Sequence, residues 1–238
     1  MKHIVSFSGG KDSTAMLLMM IEKEMQIDEI VFCDTSVEFP QMLDHIDQVE
    51  DYIGRKITRI KAPFNFEHYL ANHIKTKGVN KGKKGYGWAG PRQRWCTSTL
   101  KKDVIRKYLK NYPVRFEYIG IAADEHYRVH KTKSTTNVTY VMPLYDWGIT
   151  EKNALAYCYT KGFTWGGLYE KFDRVSCYLC PLQPIKELRI LYNEFPDLWS
   201  EIKRLDKLSY RKFRADYSIE DIERKFNGEN EQIKIDFS

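Results

Sequence analysis

The segment S-G-G-K-D-S at residues 8–13, called the glycine loop below, constrains the fold more than any other stretch of this chain. Residues 3–7 before it are apolar and predict a buried strand, and residues 15–21 after it are apolar-rich and predict a helix. Adjacent glycines allow a tight turn whose backbone N–H groups face an anion. We expect Ser13 to be the N-cap of the helix. The pattern predicts a phosphate cradle, although an ordinary glycine-rich turn also fits it.

The spacing of these glycines and of the lysine differs from that of the Walker loop, G-x-x-x-x-G-K-[ST]. The glycine loop instead resembles the SGGxDS pyrophosphate loop of the adenine nucleotide alpha-hydrolase superfamily. The resemblance implies that the loop binds an adenine nucleotide, and that the chain binds or cleaves it at the α-phosphate. The nucleotide-binding residues implied in this region are Ser6, Ser8, Gly9, Gly10, Lys11, Asp12 and Ser13, of which the last three are also predicted to be catalytic.

Length and composition allow one large domain, or a core with a small appendage, in a chain of 238 residues that is 42% hydrophobic. No apolar run approaches the ~20 residues that a membrane helix needs. The chain enters a strand at once, so we expect no signal peptide. An odd number of cysteines, five, predicts a reducing cytoplasm in which cysteines bind metals or catalyse reactions. The net charge of +6 suits a polyanionic partner, either a nucleotide or a nucleic acid.

The order of predicted elements indicates an α/β fold. Predicted strands at residues 29–34, 56–61 and 115–121 alternate with predicted helices, which cover residues 42–53, 103–109 and 150–161. Such alternation predicts a parallel, Rossmann-like sheet with helices on both faces, and we assign it to a domain of residues 1–182. Residues 183–238 are predicted to be a C-terminal helical extension with Leu188, Leu191, Leu198, Ile202 and Leu205 on apolar faces and a frayed, polar end.

A second motif follows the predicted strand at residues 29–34. Residues 34–40, D-T-S-V-E-F-P, resemble the DTGxxFPE segment of phosphoadenosine phosphosulfate (PAPS) reductases, with Ser36 in place of the glycine. Asp34 and Thr35 offer oxygen acceptors to ribose hydroxyls or to a magnesium shell, although a simple turn with an Asx cap also fits. Because ligands of parallel sheets lie at the carboxyl ends of strands, we expect these residues to meet the glycine loop.

Three later segments are also similar to this family. Residues 92–101 resemble R-x-C-C…K of its iron–sulfur branch, residues 120–125 resemble GIRADES, and residues 143–147 resemble P-L-x-D-W. This chain has Trp95 where that branch has its first cysteine, and Ala122 where the family has an arginine. The resemblance implies nucleotide contacts and a catalytic group in this region, namely Gly120, Asp124, and Arg128 as a substitute arginine, with Lys131 and Lys133 as alternatives to it.

Residues 75–94 contain seven basic residues, five glycines and no acid. Nothing in the segment is periodic, which predicts a mobile surface loop. Its charge, with Tyr86 and Trp88, suits a phosphate backbone and a stacked base, as in a nucleic-acid acceptor. A solvated basic loop and a lid over a nucleotide are the alternative interpretations.

Three cysteines are candidates for a metal centre. Cys177 and Cys180 form C-x-x-C-P, a spacing typical of cluster motifs, and Cys96 lies in a family-like segment. Three thiolates fit a [4Fe–4S] cluster, or a zinc site completed by His126 or His130, or the pair alone fits a redox motif. The two remaining cysteines, Cys33 and Cys158, fit buried hydrophobic positions better.

The reaction that the resemblance implies depends on the C-terminus. True reductases of the family carry a Glu-Cys-Gly-Leu-His tail, and this sequence has no cysteine after Cys180. We therefore expect an ATP pyrophosphatase that uses Mg²⁺ to adenylate an acceptor for sulfur transfer, as in tRNA thiolation or DNA phosphorothioation, with a cysteine desulfurase as sulfur donor. The alternatives are a reductase of PAPS or adenylyl sulfate that uses an external thiol, and a non-catalytic nucleotide-binding subunit of a sulfur-transfer or defence complex. A homodimer is compatible with each of them.

Overall fold

A computed structural model describes residues 1–175 and 177–236 of the chain. Its core is a five-stranded parallel sheet with the strand order β3-β2-β1-β4-β5, which confirms the predicted fold class. The strands are β1 (Lys2–Phe7), β2 (Glu29–Asp34), β3 (Thr58–Lys61), β4 (Arg115–Ile119) and β5 (Val138–Val141). The last of these was not predicted from the sequence. Within the described residues, no helix has the length and apolar character needed to span a membrane.

Four α-helices lie between consecutive strands, and the other described α-helices follow β5. They are α1 (Lys11–Glu22), α2 (Pro40–Ile53), α3 (Asp103–Leu109), α4 (His126–Lys131), α5 (Pro143–Asp146), α6 (Glu151–Thr160), α7 (Leu168–Lys171), α8 (Ile185–Glu194), α9 (Pro196–Asp206) and α10 (Ile219–Asp236). The predicted helices at residues 42–53, 103–109 and 150–161 are therefore confirmed. The predicted fraying after Phe226 is wrong as far as Asp236, because α10 continues to that residue, and residues 237–238 lie outside the described part.

The central strand, β1, explains why the glycine loop lies where it does. Ser6 of β1 is in register with Val31 of β2 on one side and with Ile119 of β4 on the other. Ile4 and Val5 are fully buried, as expected of a strand covered on both faces. The glycine loop leaves the carboxyl end of this strand, where ligands of parallel sheets bind.

The chain forms two compact units that interleave along the sequence. Unit 1 comprises Met1–Asp34, Glu38–Ala62 and Lys101–Ser176, and it contains the sheet. Unit 2 comprises Thr35–Val37, Pro63–Leu100 and Cys177–Ser238, and it contains α8 to α10. The division into domains of residues 1–182 and 183–238 stays a prediction.

Unit 2 has its own apolar core, in which the predicted leucine and isoleucine faces of α8 and α9 are buried. Leu188, Leu191 and Ile202 are fully buried, and the rings of Trp88 and Phe213 pack edge to face with centroids 4.9 Å apart. Trp88 is only 1% exposed, and its indole N–H donates to Asp206 at 2.6 Å. The prediction that Trp88 stacks on a base is therefore wrong, since its ring is a core residue.

Candidate functional site

The glycine loop makes the turn that its two glycines predict. Gly9 has a φ of +77°, and a Cβ at this position would lie 2.5 Å from the sulfur of Met42. Gly10 is the N-cap of α1, without a side-chain cap. The prediction of Ser13 as N-cap is wrong, because the helix already begins at Lys11. The Ser13 hydroxyl instead donates to the Gly10 carbonyl at 3.0 Å and accepts from the Ser8 N–H at 3.2 Å, which closes the loop on itself.

Aromatic side chains hold the glycine loop from the other side. The Trp165 indole N–H donates to the Gly9 carbonyl at 2.7 Å, and the backbone N–H of Lys11 donates to the Tyr169 hydroxyl at 2.8 Å. His45 stacks on Trp165 with ring centroids 4.3 Å apart and shares a 3.0 Å hydrogen bond with Thr14. Burial lowers the pKa of His45 to about 3, so its ring is neutral at physiological pH. The loop is therefore fixed by buried partners.

Gly120 allows the end of β4 to approach the start of α1 closely. A Cβ on Gly120 would lie 2.8 Å from the backbone nitrogen of Ser13 and 3.0 Å from the carbonyl carbon of Asp12. Because backbone atoms cannot rotate away as a side chain can, this position requires a glycine. The sequence prediction singled out Gly120 as a nucleotide contact, and the structure gives it a packing reason as well.

A cavity of about 220 Å³ opens in front of the glycine loop, within unit 1, and is called the loop cavity below. Its lining is unusually rich in charge, with four basic and four acidic side chains. These are Lys11, Lys101, Arg128 and Arg174 on the basic side, and Asp12, Glu38, Glu125 and Glu151 on the acidic side. So many opposed charges around one small space suit a ligand that carries several negative charges together with a cation.

Three of the four basic side chains of the loop cavity form ion pairs with its acidic side chains. The Lys11 ammonium contacts Glu151 at 2.5 Å and Asp12 at 3.5 Å. Lys101 contacts Glu38 at 3.4 Å, and the guanidinium of Arg128 contacts Glu125 at 2.7 Å. A phosphate that enters the cavity and meets one of these three cations would therefore replace a carboxylate on it.

Asp12 is the most perturbed acid of the loop cavity. Burial raises its pKa from 3.8 to about 6; the Lys11 ammonium opposes this shift, and Glu151 and Glu125 add to it. One carboxylate oxygen of Asp12, Oδ1, is buried and has no hydrogen-bond partner within the described residues. An unsatisfied carboxylate oxygen beside a phosphate site fits Mg²⁺, which binds through one or two carboxylates and the phosphates themselves.

The structure brings part of the predicted nucleotide site together. The predicted residues that line the loop cavity are Ser8, Gly10, Lys11, Asp12, Gly120 and Arg128. Gly9 and Ser13 are part of the glycine loop but do not line the cavity. Asp34 and Thr35 do not line it either, and Asp34 belongs to unit 1 whereas Thr35 belongs to unit 2. Lys131 and Lys133, the alternatives to Arg128, are also outside it.

Two predicted residues, Ser6 and Asp124, do not line the loop cavity but form hydrogen bonds with neighbouring residues. The Ser6 hydroxyl donates to Glu117 at 3.1 Å inside the sheet. Asp124, predicted to be catalytic, accepts the backbone N–H of Glu151 at 3.1 Å and so positions the acid that contacts Lys11. This geometry supports a positioning role for Asp124, and its catalytic role stays a prediction.

Sequence reasoning missed several residues of the loop cavity. Glu38 and Lys101 appeared only as letters within family-like segments, Tyr169 and Arg174 were not singled out, and Glu151 carried no signal beyond its place at the start of a predicted helix. Glu151 is 140 residues from its partner Lys11. A contact over such a distance in the chain leaves no local pattern that a single sequence could reveal.

The three candidate cysteines of the metal centre, Cys96, Cys177 and Cys180, all belong to unit 2 and are partly exposed. The sulfur of Cys177 lies 3.5 Å from the Thr35 hydroxyl oxygen. Across the described ranges, no three His, Cys, Asp or Glu side chains are grouped closely enough to hold a metal ion. As placed, the three thiols do not fit a cluster, and the iron–sulfur or zinc centre, with His126 or His130 as a ligand, stays a prediction.

The other two cysteines are buried, as predicted. Cys33 is 5% exposed and Cys158 is fully buried. Burial raises the pKa of Cys33 to about 11 and that of Cys158 to about 12. Both thiols are therefore protonated and act as small apolar side chains.

A five-stranded parallel sheet with a glycine turn after its central strand defines a Rossmann-like α/β protein. The family model of the phosphoadenosine phosphosulfate reductase domain matches residues 2–183, more than half of the chain. The chain therefore belongs to this family, which confirms the resemblance found in the sequence.

Three curated relatives match most of this chain. Two proteins of Methanocaldococcus jannaschii are each 28% identical, one over 83% of this chain and 40% of its own length, the other over 82% and 45%. A protein of Escherichia phage 186 is 22% identical over 87% of this chain and 75% of its own length. The chain spans less than half the length of the first two relatives.

Two solved structures are similar to part of this chain. PAPS reductase from Candida auris, in a phosphate complex, is 15% identical with a TM-score of 0.49 and covers 73% of this chain and 80% of its own. The U34-tRNA thiolase NcsA from Methanococcus maripaludis, with its [4Fe-4S] cluster, is 15% identical with a TM-score of 0.46 and covers 87% of this chain and 71% of its own.

Proposed function

We propose that unit 1 binds ATP in the loop cavity and cleaves it at the α-phosphate, which adenylates an acceptor for sulfur transfer. The observation that carries this proposal is the meeting of four basic side chains around one small cavity at the N-terminus of α1. Cations and a helix N-terminus in this arrangement are what a polyphosphate chain requires. Membership of the PAPS reductase domain family supports an adenine nucleotide as the substrate.

The reaction transfers an adenylyl group. An oxygen of the acceptor attacks the α-phosphorus, the bond from this phosphorus to the bridging oxygen breaks, and pyrophosphate leaves. A sulfur nucleophile then replaces the activated oxygen and releases AMP. Because negative charge shifts onto the phosphate oxygens, Lys11, Arg128 and Arg174 would supply electrostatic stabilisation.

Two side chains have further roles in this proposal. The Lys11 ammonium, which contacts Glu151, would contact the β- and γ-phosphates instead when ATP binds. This change needs only a short movement of the ammonium, because a carboxylate and a phosphate can occupy neighbouring positions around it. Asp12 would hold Mg²⁺ through its unsatisfied oxygen, and the bound ion would neutralise part of the charge of the leaving pyrophosphate. No step of the proposal passes through a cluster.

Product analysis tests the proposal directly. Purified protein incubated with ATP and Mg²⁺ is expected to form AMP and pyrophosphate, with turnover reduced at least 100-fold in Lys11→Gln and Asp12→Asn, since each removes a charge placed at the phosphates. Lys110→Gln is the matched control because Lys110 is exposed on α3's C-cap, outside the loop cavity. Formation of ADP, or no turnover with any acceptor, would contradict it.

The family itself favours a second candidate, the reduction of PAPS or adenylyl sulfate with an external thiol such as thioredoxin. Release of sulfite from either nucleotide, in the presence of dithiothreitol or thioredoxin, would support this activity. Tight ATP binding without turnover, together with co-purification of a cysteine desulfurase, would instead indicate a non-catalytic subunit.

The acceptor and the metal centre are separate parts of the proposal. Exposed basic residues in unit 2 favour a nucleic acid as the acceptor, as in tRNA thiolation or DNA phosphorothioation. Anaerobic purification followed by absorption spectroscopy and by iron and zinc analysis tests the centre at Cys96, Cys177 and Cys180. Absorption near 400 nm with bound iron would support the cluster, and zinc alone would support the other metal.

A further inference from the structure

Backbone hydrogen bonds close part of the basic segment at residues 75–94. The Lys75 N–H donates to the Lys83 carbonyl at 3.0 Å, and the Gly82 N–H donates back to the Lys75 carbonyl at 2.8 Å. Ile74 and Lys84 form an antiparallel bridge. Residues 74–84 thus form a loop that one isolated antiparallel bridge closes, called the basic hairpin below, and the predicted mobility of residues 75–94 stays a prediction.

The positive charge of this region is directed to the solvent. Six of the seven basic residues of the segment are exposed: Lys77, Lys81, Lys83, Lys84, Arg92 and Arg94. None of the six forms an ion pair with any described residue, in contrast to Lys11, Lys101 and Arg128 of the loop cavity. The seventh, Lys75, is buried and donates to the Tyr210 hydroxyl at 3.1 Å, so it supports the fold.

A row of partly exposed rings leads to the basic hairpin, and we call Phe64, His68, His73 and Tyr86 the aromatic row. Phe64 is 51% exposed and stacks on His68, with ring centroids 4.0 Å apart and planes 17° apart. The rings of His68 and His73 have centroids 6.1 Å apart, and those of His73 and Tyr86 have centroids 5.0 Å apart. One face of Phe64 is therefore covered by a flat neighbour, and its exposure leaves area on which a further ring can stack.

Backbone hydrogen bonds join the aromatic row to the hairpin. The Gly85 N–H donates to the His73 carbonyl at 2.8 Å, and the Tyr86 N–H donates to the Tyr69 carbonyl at 2.9 Å. Both ends of the hairpin thus lie next to the segment that carries the rings. The stacking surface and the exposed lysines consequently lie in one hydrogen-bonded part of unit 2.

We propose that the basic hairpin and the aromatic row bind a single-stranded nucleic acid, whose phosphates contact the exposed lysines and one of whose bases stacks on Phe64. Rings beside cations are the combination that single strands require, since each base offers a flat face and each nucleotide a negative charge. A duplex would engage the charges alone because its bases are already stacked. An acidic peptide would also engage only the charges.

The inference rests on the proposed function and names the class of its acceptor. Binding of the strand is measured in the absence of ATP. Strand binding without ATP cleavage, or cleavage without strand binding, separates the failure of one proposal from that of the other. The probe is a fluorescein-labelled 20-nucleotide strand of mixed sequence, as DNA and as RNA, in fluorescence anisotropy at several salt concentrations. The same strand annealed to its complement serves as the duplex probe.

The lysines are tested by the triple variant Lys77→Gln, Lys81→Gln, Lys83→Gln. We expect its affinity for the strand to fall at least ten-fold, and the slope of log K against log salt to become shallower by about 2, as three lost phosphate contacts require. The triple variant Lys102→Gln, Lys107→Gln, Lys110→Gln makes the same charge change on exposed residues of unit 1 and is the control. Equal losses in both variants would overturn a defined site.

The stacking contact is tested by Phe64→Ala, with Phe64→Leu as a variant that keeps an apolar side chain. We expect Phe64→Ala to weaken single-strand binding about ten-fold while leaving duplex binding unchanged, since a stacked base is lost only from the single strand. Circular dichroism checks that both variants fold. Equal effects on strand and duplex, or competition by poly-glutamate as strong as that by unlabelled strand, would overturn the inference.

Discussion

Asp12 offers the sharpest test of the loop cavity because its burial has a measurable effect on stability. Burial raises the pKa of Asp12 from 3.8 to about 6, and the ammonium of Lys11 offsets this shift only in part. The Asp12 side chain is 20% exposed, so solvent screens the effect little. A shift of about 2 pH units corresponds to about 3 kcal/mol of unfolding free energy, at about 1.4 kcal/mol per unit.

The sign follows from proton linkage. Because the folded pKa is raised, the stabilising contribution of neutral Asp12 is complete below pH 3.8 and is lost as the pH rises to about 6. Asp12→Asn imitates the neutral form at every pH. We therefore expect this variant to be more stable than the parent protein by about 3 kcal/mol at pH 8, but by only about 1 kcal/mol at pH 4.5.

The assay is urea unfolding of both proteins at the two pH values, and the difference between them is the quantity to compare. The parent curve alone is not informative, because the pKa of His45 is lowered to about 3 by burial and its contribution runs in the opposite direction: the stability that it confers is present above pH 6.5 and is lost as the pH falls. Asp51→Asn, an exposed carboxylate on α2, is the control. A variant that is less stable at pH 8, or a difference that does not change with pH, would refute the reasoning.

Three further predictions concern single residues, two in unit 1 and, for comparison, one in unit 2. Gly120→Ala should lower the free energy of unfolding by about 1–3 kcal/mol in chemical denaturation and weaken ATP binding in calorimetry, because its Cβ would meet the backbone of Ser13 at 2.8 Å. Gly228→Ala, in α10 with nothing near the added carbon, should instead stabilise by about 0.5–1 kcal/mol, and destabilisation there would contradict this use of glycine geometry. Trp165→Phe should cost about 1–3 kcal/mol in the same denaturation assay, since the Gly9 carbonyl loses its 2.7 Å donor and is left with the longer hydrogen bond from the Thr14 hydroxyl at 3.5 Å, and a neutral effect would show that the indole hydrogen bond does not fix the loop.

The sheet and the glycine loop were predictable because their signals are local. A buried apolar run before adjacent glycines and an apolar-rich run after them specify strand, turn and helix within about twenty residues. The strand β5 was missed because Val138–Val141 is only 4 residues long and one of its residues is exposed. Such a strand depends on its pairing with β4 rather than on its own composition.

The charges of the loop cavity were only partly predictable. Lys11 and Asp12 lie in the motif itself, whereas Glu151 and Tyr169 reach it from 140 and 158 residues further along the chain. Trp88 shows the opposite error, since an aromatic residue in a basic segment suggested a stacking surface, but burial in the core of unit 2 removes it. Composition cannot distinguish an exposed ring from a buried one, and Phe64 was overlooked for the same reason.

The mutual pairing of charge in the loop cavity has a consequence for how a nucleotide would be selected. Four cations balanced by four carboxylates produce little field at a distance, so a polyanion in solution would not be drawn towards this cavity from afar. Recognition there would depend on shape and on the replacement of one close contact by another. Raising the ionic strength should accordingly alter capture of ATP far less than attachment of a long polyanion to the basic hairpin.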